Sequence, residues 1–343
     1  MRSDELPADR GAPLSAPAID EAAAERRDRS PRTILGELWD AGIGLAAVYA
    51  AIIVVFALLS DVFLSTRNFL NIGVSVSILG IIAATQTMVI IARGFDLSVG
   101  SVVALAGVVT AKLLEAGQPD LVALGGAIGV GLLVGLVNGL LITVVRVNPL
   151  ITTLATLSVV RGLAYVWTDA LTQGFPGRNL AWLGVQRIAE VPVPVIVMLV
   201  VFVAVSLTMR YTTFGRELYA VGGNPRAALL AGIDVRRTQL AVYLLSGMSA
   251  GLAGAILAAQ LSAGSPQAAT GLELNVVAAV VLGGASLAGG RGRPWGTLLG
   301  ALIMATLANG LVLIDVSSFY QMIAWGLVLL LAVVIDQLRR PEE

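Results

Sequence analysis

Long apolar runs separated by short polar spacers set the pattern of this chain. A helix needs about 20 mostly apolar residues to cross a hydrocarbon core. Ten runs approach that length: 42–60, 70–92, 97–115, 121–145, 149–169, 193–209, 238–260, 273–290, 295–314 and 318–336. They predict an all-α polytopic membrane protein with about ten transmembrane helices. Residues 1–40 are polar and rich in Pro and Ala, without an apolar signal core, and read as a disordered cytoplasmic tail. The membrane domain is then 41–338, with a cytoplasmic C-terminal tail at 339–343.

Composition agrees. Of the 343 residues 57% are hydrophobic and 13% charged, and the mean hydropathy is +0.88. A soluble domain would carry about twice that charged fraction. Net charge is zero, which gives no reason to expect a nucleic-acid partner. The chain has no Cys and no His. That excludes disulfides, thiolate nucleophiles and imidazole bases, and leaves no common metal site to expect.

Charge sets the orientation. With the N-terminus inside, 17 of the 22 basic residues fall in cytoplasmic segments: six in the tail, Arg93, Arg146, five in 210–237, Arg291, Arg293, Arg339 and Arg340. The positive-inside rule therefore predicts N-in and C-in. Gly, Ala, Ser and Thr crowd the runs, as in 124–141 and 246–259, and predict close helix packing. "VNGLLI" (137–142) and "ANGLVLI" (308–314) echo each other. An inverted repeat of spans two to five and seven to ten would account for this.

The spacer 210–237 is the longest predicted inside. Asn224 is a good N-cap and Pro225 suits the first helical position; Arg226, Ala227, Ala228, Leu229 and Leu230 favour helix, and Gly232 ends it. So short a helix is marginal alone. With Gly222 and Gly223 before it and an apolar tip, it is either a docking element or a helix resting on lipid headgroups.

The stretch "ARGFDLSVGS" (92–101) puts Arg93 and Asp96 between two apolar runs. One reading is a tight turn, with Asp96 or Ser98 capping span three and Arg93 meeting the last carbonyls of span two. The other is a break at membrane depth that lines a polar path with Phe95, Asp96 and Ser98. Further path candidates are Gln86, Asn138, Thr152, Thr156, Arg161 and Asn275, each a polar group inside or near an apolar run.

At this point the motifs "GFDLSVGS" (94–101), "NPLITTLATLSVVRGLAYVWT" (148–168), "TTFGRELYAVGGNPRAALLAGID" (212–234) and "LNVVAAVVLGGASLAGGRGRPWGTLLGALI" (274–303) resemble the permease subunits of ribose-type ATP-binding-cassette importers. The resemblance runs over about 42–336, in the family's order. It implies a multi-pass inner-membrane permease that takes up a neutral monosaccharide or polyol. Its implied partners are a cytoplasmic ATPase, a periplasmic sugar-binding protein and a second permease copy, with a homodimer expected. Residues 222–232 match the coupling helix of that family. No G-x-x-x-x-G-K-[ST] loop occurs, so ATP is expected on the partner subunit and no cofactor or catalytic site on this chain. The rival is a ten-span ion-coupled carrier, which would need an intramembrane carboxylate, with Asp96 the candidate.

Overall fold

The computed structural model describes residues 43–175 and 179–338, so the expected tails at 1–40 and 339–343 lie outside the described residues. Thirteen helices occur among the described residues: α1 (Ile43–Leu59), α2 (Thr66–Ile91), α3 (Val99–Glu115), α4 (Asp120–Thr143), α5 (Pro149–Thr168), α6 (Ala181–Gly184), α7 (Val193–Tyr211), α8 (Thr213–Gly223), α9 (Pro225–Leu230), α10 (Val235–Leu261), α11 (Leu272–Leu282), α12 (Pro294–Leu313) and α13 (Ser318–Leu338). Six of them, α2, α4, α5, α7, α10 and α12, are long and apolar enough to cross a bilayer; 44–59, 272–282 and 318–331 are shorter apolar stretches. Two-residue strands β1 (Gln173–Gly174), β2 (Arg187–Ile188), β3 (Val191–Pro192) and β4 (Ala263–Gly264) pair antiparallel as β1 with β4 and β2 with β3.

Most helices match the apolar runs closely. The exception is the run expected as a span over 273–290. Its helix stops at Leu282, and Gly284, Gly289, Gly290 and Gly292 follow with positive φ. Such glycines carry the chain through turns that other residues resist. The segment before it, 262–271, is also irregular, so α11 is a short helix between two non-helical stretches.

Burial separates an inner set from an outer one. Nearly every residue of α3 and of the C-terminal two-thirds of α2 is buried, and most of α10 is too. The outer helices bury one face and expose large apolar side chains such as Leu58, Val166 and Phe319 on the other. Apolar side chains suit an acyl-chain environment.

Small residues close the seam between α4 and α10, which run antiparallel. Gly131 meets Gly247, Gly135 meets Tyr243 and Gly139 meets Leu240. A Cβ on Gly131 would overlap the Gly247 carbonyl, and one on Gly247 would overlap the Gly131 carbonyl. Backbones this close admit only glycine.

The two longest helices, α2 and α10, are also antiparallel, tied where Thr85 Oγ1, six residues before the end of α2, meets Ser249 Oγ, midway along α10, at 2.6 Å. Each packs on elements from the other half of the chain: α10 on α3 and α4, α2 on α11 and α12. Helices α2 to α5 have 26, 17, 24 and 20 residues, and α10 to α13 have 27, 11, 20 and 21.

Candidate functional site

The break between α2 and α3 organises one end of the bundle. Arg93 follows α2 with φ 63° and turns away from its own helix. Its Nε donates to the Gly222 carbonyl at 2.6 Å and its Nη2 to the Gly223 carbonyl at 2.6 Å. The expectation that Arg93 would meet the last carbonyls of span two is thereby corrected. The guanidinium fork instead joins two successive carbonyls at the end of α8, where the helix dipole favours a cation.

A third segment joins this clasp. The Gly290 N–H donates to the Ile91 carbonyl at 2.9 Å, and Tyr219 of α8 donates its hydroxyl to the Gly292 carbonyl at 2.8 Å. Burial pushes the Tyr219 phenol up, with nearby Arg293 offsetting part of the effect. Gly222 lies so close that a Cβ there would overlap the Ile91 carbonyl. The end of α2, the α8–α9 junction and the 283–293 loop thus form one unit.

Helix α9 stands on that unit. Asn224 Oδ1 accepts from the N–H groups of Arg226 and Ala227 at 3.0 and 3.1 Å, and Pro225 occupies the first turn. Ala228 faces inward, while Leu229 and Leu230 are 64% and 90% exposed. Gly232, with φ +83°, ends the element. Beside α9 an open groove of about 730 Å³ is lined by residues that include Arg146, Arg226, Leu229, Arg236 and Gln239.

Asp96 turns inward from the same break and is 1% exposed. Its Oδ1 accepts from the Ser98 N–H at 3.0 Å and the Ser98 hydroxyl at 2.6 Å, and its Oδ2 accepts from Ser246 Oγ at 2.7 Å. Asn138 Nδ2 donates to Ser98 Oγ at 2.9 Å, and the Tyr243 hydroxyl donates to the Phe95 carbonyl at 3.2 Å. Of the two caps expected for span three, Ser98 makes no side-chain cap, and Asp96 accepts from the Ser98 N–H one residue ahead of the helix. Asn138 lies five residues before the end of α4 and Ser246 eleven after the start of α10. At 1.5 Å per residue the carboxylate is about 8 Å and about 16 Å inside those helix ends. No cation pairs with it among the described residues; its partners are hydroxyls and a backbone N–H.

The remaining candidates are dispersed. The Thr152 and Thr156 hydroxyls bond back to carbonyls of their own chain turn, at Asn148 and Thr152. Arg161 donates to the carbonyls of Pro266 and Ala268 at 2.8 and 2.7 Å, strapping α5 to the irregular 262–271 segment. Gln86 is fully buried five residues before the end of α2. Asn275 lines a cavity of about 620 Å³ between α2 and α10–α13, at the end of the bundle away from α9. That cavity also takes Gln260, Asn309, Gln321 and Trp325, which the apolar pattern did not single out.

Comparison with known proteins follows the same division of the chain. The sequence profile of a family described as branched-chain amino acid transport system / permease component matches residues 68–335, from α2 into α13. The ribose import permease protein RbsC of Escherichia coli K12 is 43% identical over 289 residues, covering 83% of this chain and 90% of that protein. RbsC of Bacillus subtilis 168 is 44% identical over 288 residues, 83% of this chain and 89% of that one. The L-arabinose ABC transporter permease protein AraH of Azospirillum brasilense is 39% identical over 329 residues, 95% of each chain. No solved structure matches. The four motifs, helices α3–α12 and the α2–α3 break all lie within the matched span, and the chain belongs to this family of multi-pass transporter permease components.

Proposed function

We propose that this chain is the membrane-spanning subunit of an ATP-binding-cassette importer for a neutral monosaccharide or related polyol. In this reading it lies in a bacterial inner membrane with both termini inside and crosses about ten times. Helices α2–α5 and α10–α13 form an inverted repeat. The shared start of each set, a longest helix followed by a shortest one, and the reciprocal packing of α2 and α10 support that repeat. The names of the ribose and arabinose relatives support the solute class.

The observation that carries the coupling role is α9: a capped helix whose leucines point outward while its base is bonded to α2. Exposed leucines on a firmly seated short helix suit a groove on a partner. A cytoplasmic ATPase is the partner the family implies, with a periplasmic sugar-binding protein delivering solute and a second copy completing the pathway. ATP is held by the ATPase. The ion-coupled alternative has less support, because both oxygens of the buried Asp96 carboxylate already accept hydrogen bonds.

Co-purification of the co-expressed ATPase subunit tests this reading. The wild-type chain is expected to retain the ATPase and Leu230→Glu to lose it, with equal amounts of permease in the membrane. Retention of the ATPase by Leu230→Glu would remove α9 from the interface.

A further inference from the structure

Gln260 and Asn309 line the cavity between α2 and α10–α13, and each carries one buried amide atom without a hydrogen-bond partner, Nε2 of Gln260 and Oδ1 of Asn309. One is a donor and the other an acceptor, and they belong to α10 and α12. Asn275 from α11 and Ser75 from α2 add further polar groups to the same wall, and Trp325 adds a ring from α13. Buried amides left without partners are costly, by about the desolvation of the group. The clustering of these neutral amide residues at one cavity points to an uncharged polar ligand.

We propose that this cavity is the solute-holding site of the permease, and that it recognises a neutral polyhydroxylated solute through carboxamides rather than through charge. The proposal rests on the permease reading above. A carboxamide offers both donors and an acceptor, which matches a hydroxyl that does both. The volume falls within the range of about 300–1,000 Å³ usual for small-molecule sites. No Asp, Glu, Lys or Arg lines it. An amino acid would bring a carboxylate and an ammonium group there without counter-charges, which is strongly unfavourable. The family description alone leaves that solute open; the lining argues against it.

The same face of α2 continues inward. Gln86 lies seven residues beyond Leu79, a lining residue, and a seven-residue step returns to the same helix face. At 1.5 Å per residue it is about 10 Å deeper. Both of its amide atoms are buried and without partners.

The complete importer, with its ATPase and binding protein in proteoliposomes, provides the test. Uptake of radiolabelled D-ribose, L-arabinose, D-glucose and L-leucine is measured for wild type, Gln260→Leu and Asn309→Leu. Because the chain contains no Cys, Asn275→Cys places a single thiol in the cavity. Its labelling by a membrane-impermeant thiosulfonate is timed with and without each solute. Wild type is expected to move a sugar and not leucine. Each Leu variant should cut uptake at limiting sugar about tenfold, as for one lost hydrogen bond, while retaining the ATPase. The transported sugar should slow thiol labelling severalfold. Uptake of leucine alone, wild-type transport by both Leu variants, or labelling indifferent to the transported sugar would each overturn the site while leaving the permease reading intact. Failure of the wild-type chain to retain an ATPase would sink both.

Discussion

Arg93 is the residue on which the α9 end turns. Its two donors span successive carbonyls, a task for a planar fork that a single ammonium cannot reproduce. Bonds from a charged donor of this kind contribute about 1.5–3 kcal/mol each. Arg93→Gln is therefore expected to leave the α2–α3 break detached from α8. In the assembled importer, uptake should fall at least about tenfold while the ATPase still co-purifies, and Arg93→Lys should lie between Gln and wild type. Full uptake by Arg93→Gln would show that the clasp carries no motion. Asp96 plays a different part nearby: two hydrogen bonds from Ser98 brace the break itself and one from Ser246 joins it to α10, so displacement at Arg93 is felt at Ser246 within one short segment.

At the scale of elements, the α4–α10 seam and the α9 helix show what a sequence can and cannot announce. Gly131→Leu forces a side chain into the Gly247 backbone, and overpacking of this kind costs about 1–3 kcal/mol or more. Gly129 on the same helix faces open space, with nothing near its Cβ position. Gly131→Leu should be lost from membranes or melt well below wild type in detergent, and Gly129→Leu should behave as wild type. Equal melting of the two would argue against the seam. Sequence alone exposes α9 because its cap, proline and terminator are neighbours in the chain. The Asp96 network escaped it because Asn138 and Ser246 are 40 and 150 residues from their partners. Gln260 and Asn309 escaped for another reason: an isolated amide in an apolar run has many structural uses. The one available signal was the "NG" echo, which pairs Asn309 with Asn138. Arg93 was visible as an odd charge, but its partners at 222 and 223 lie in a different loop and nothing local pointed to them.

Across the whole molecule, the two ends carry different chemistry. From Ser75 to Ile91 the central helix α2 rises through sixteen residue steps, about 24 Å at helical rise. One end borders a neutral amide-lined cavity, and the other is bonded to the α9 unit. The reciprocal packing of α2 and α10 also has a consequence for biogenesis. A nascent chain inserts α2, α3 and α4 long before α10 is synthesised. Until then the Asp96 carboxylate lacks Ser246, and the glycine face of α4 lacks its mate. The early helices must wait in the lipid, incompletely satisfied, for a segment made about a hundred residues later. A chain stopped after Tyr211 should consequently be cleared by membrane proteases, and co-synthesis of a 213–343 fragment should rescue it, as a pulse-chase experiment would reveal. Survival of the early fragment by itself would mean that lipid or water can stand in for α10. Quality control in the membrane would, on this view, be reading the arrival of one late helix.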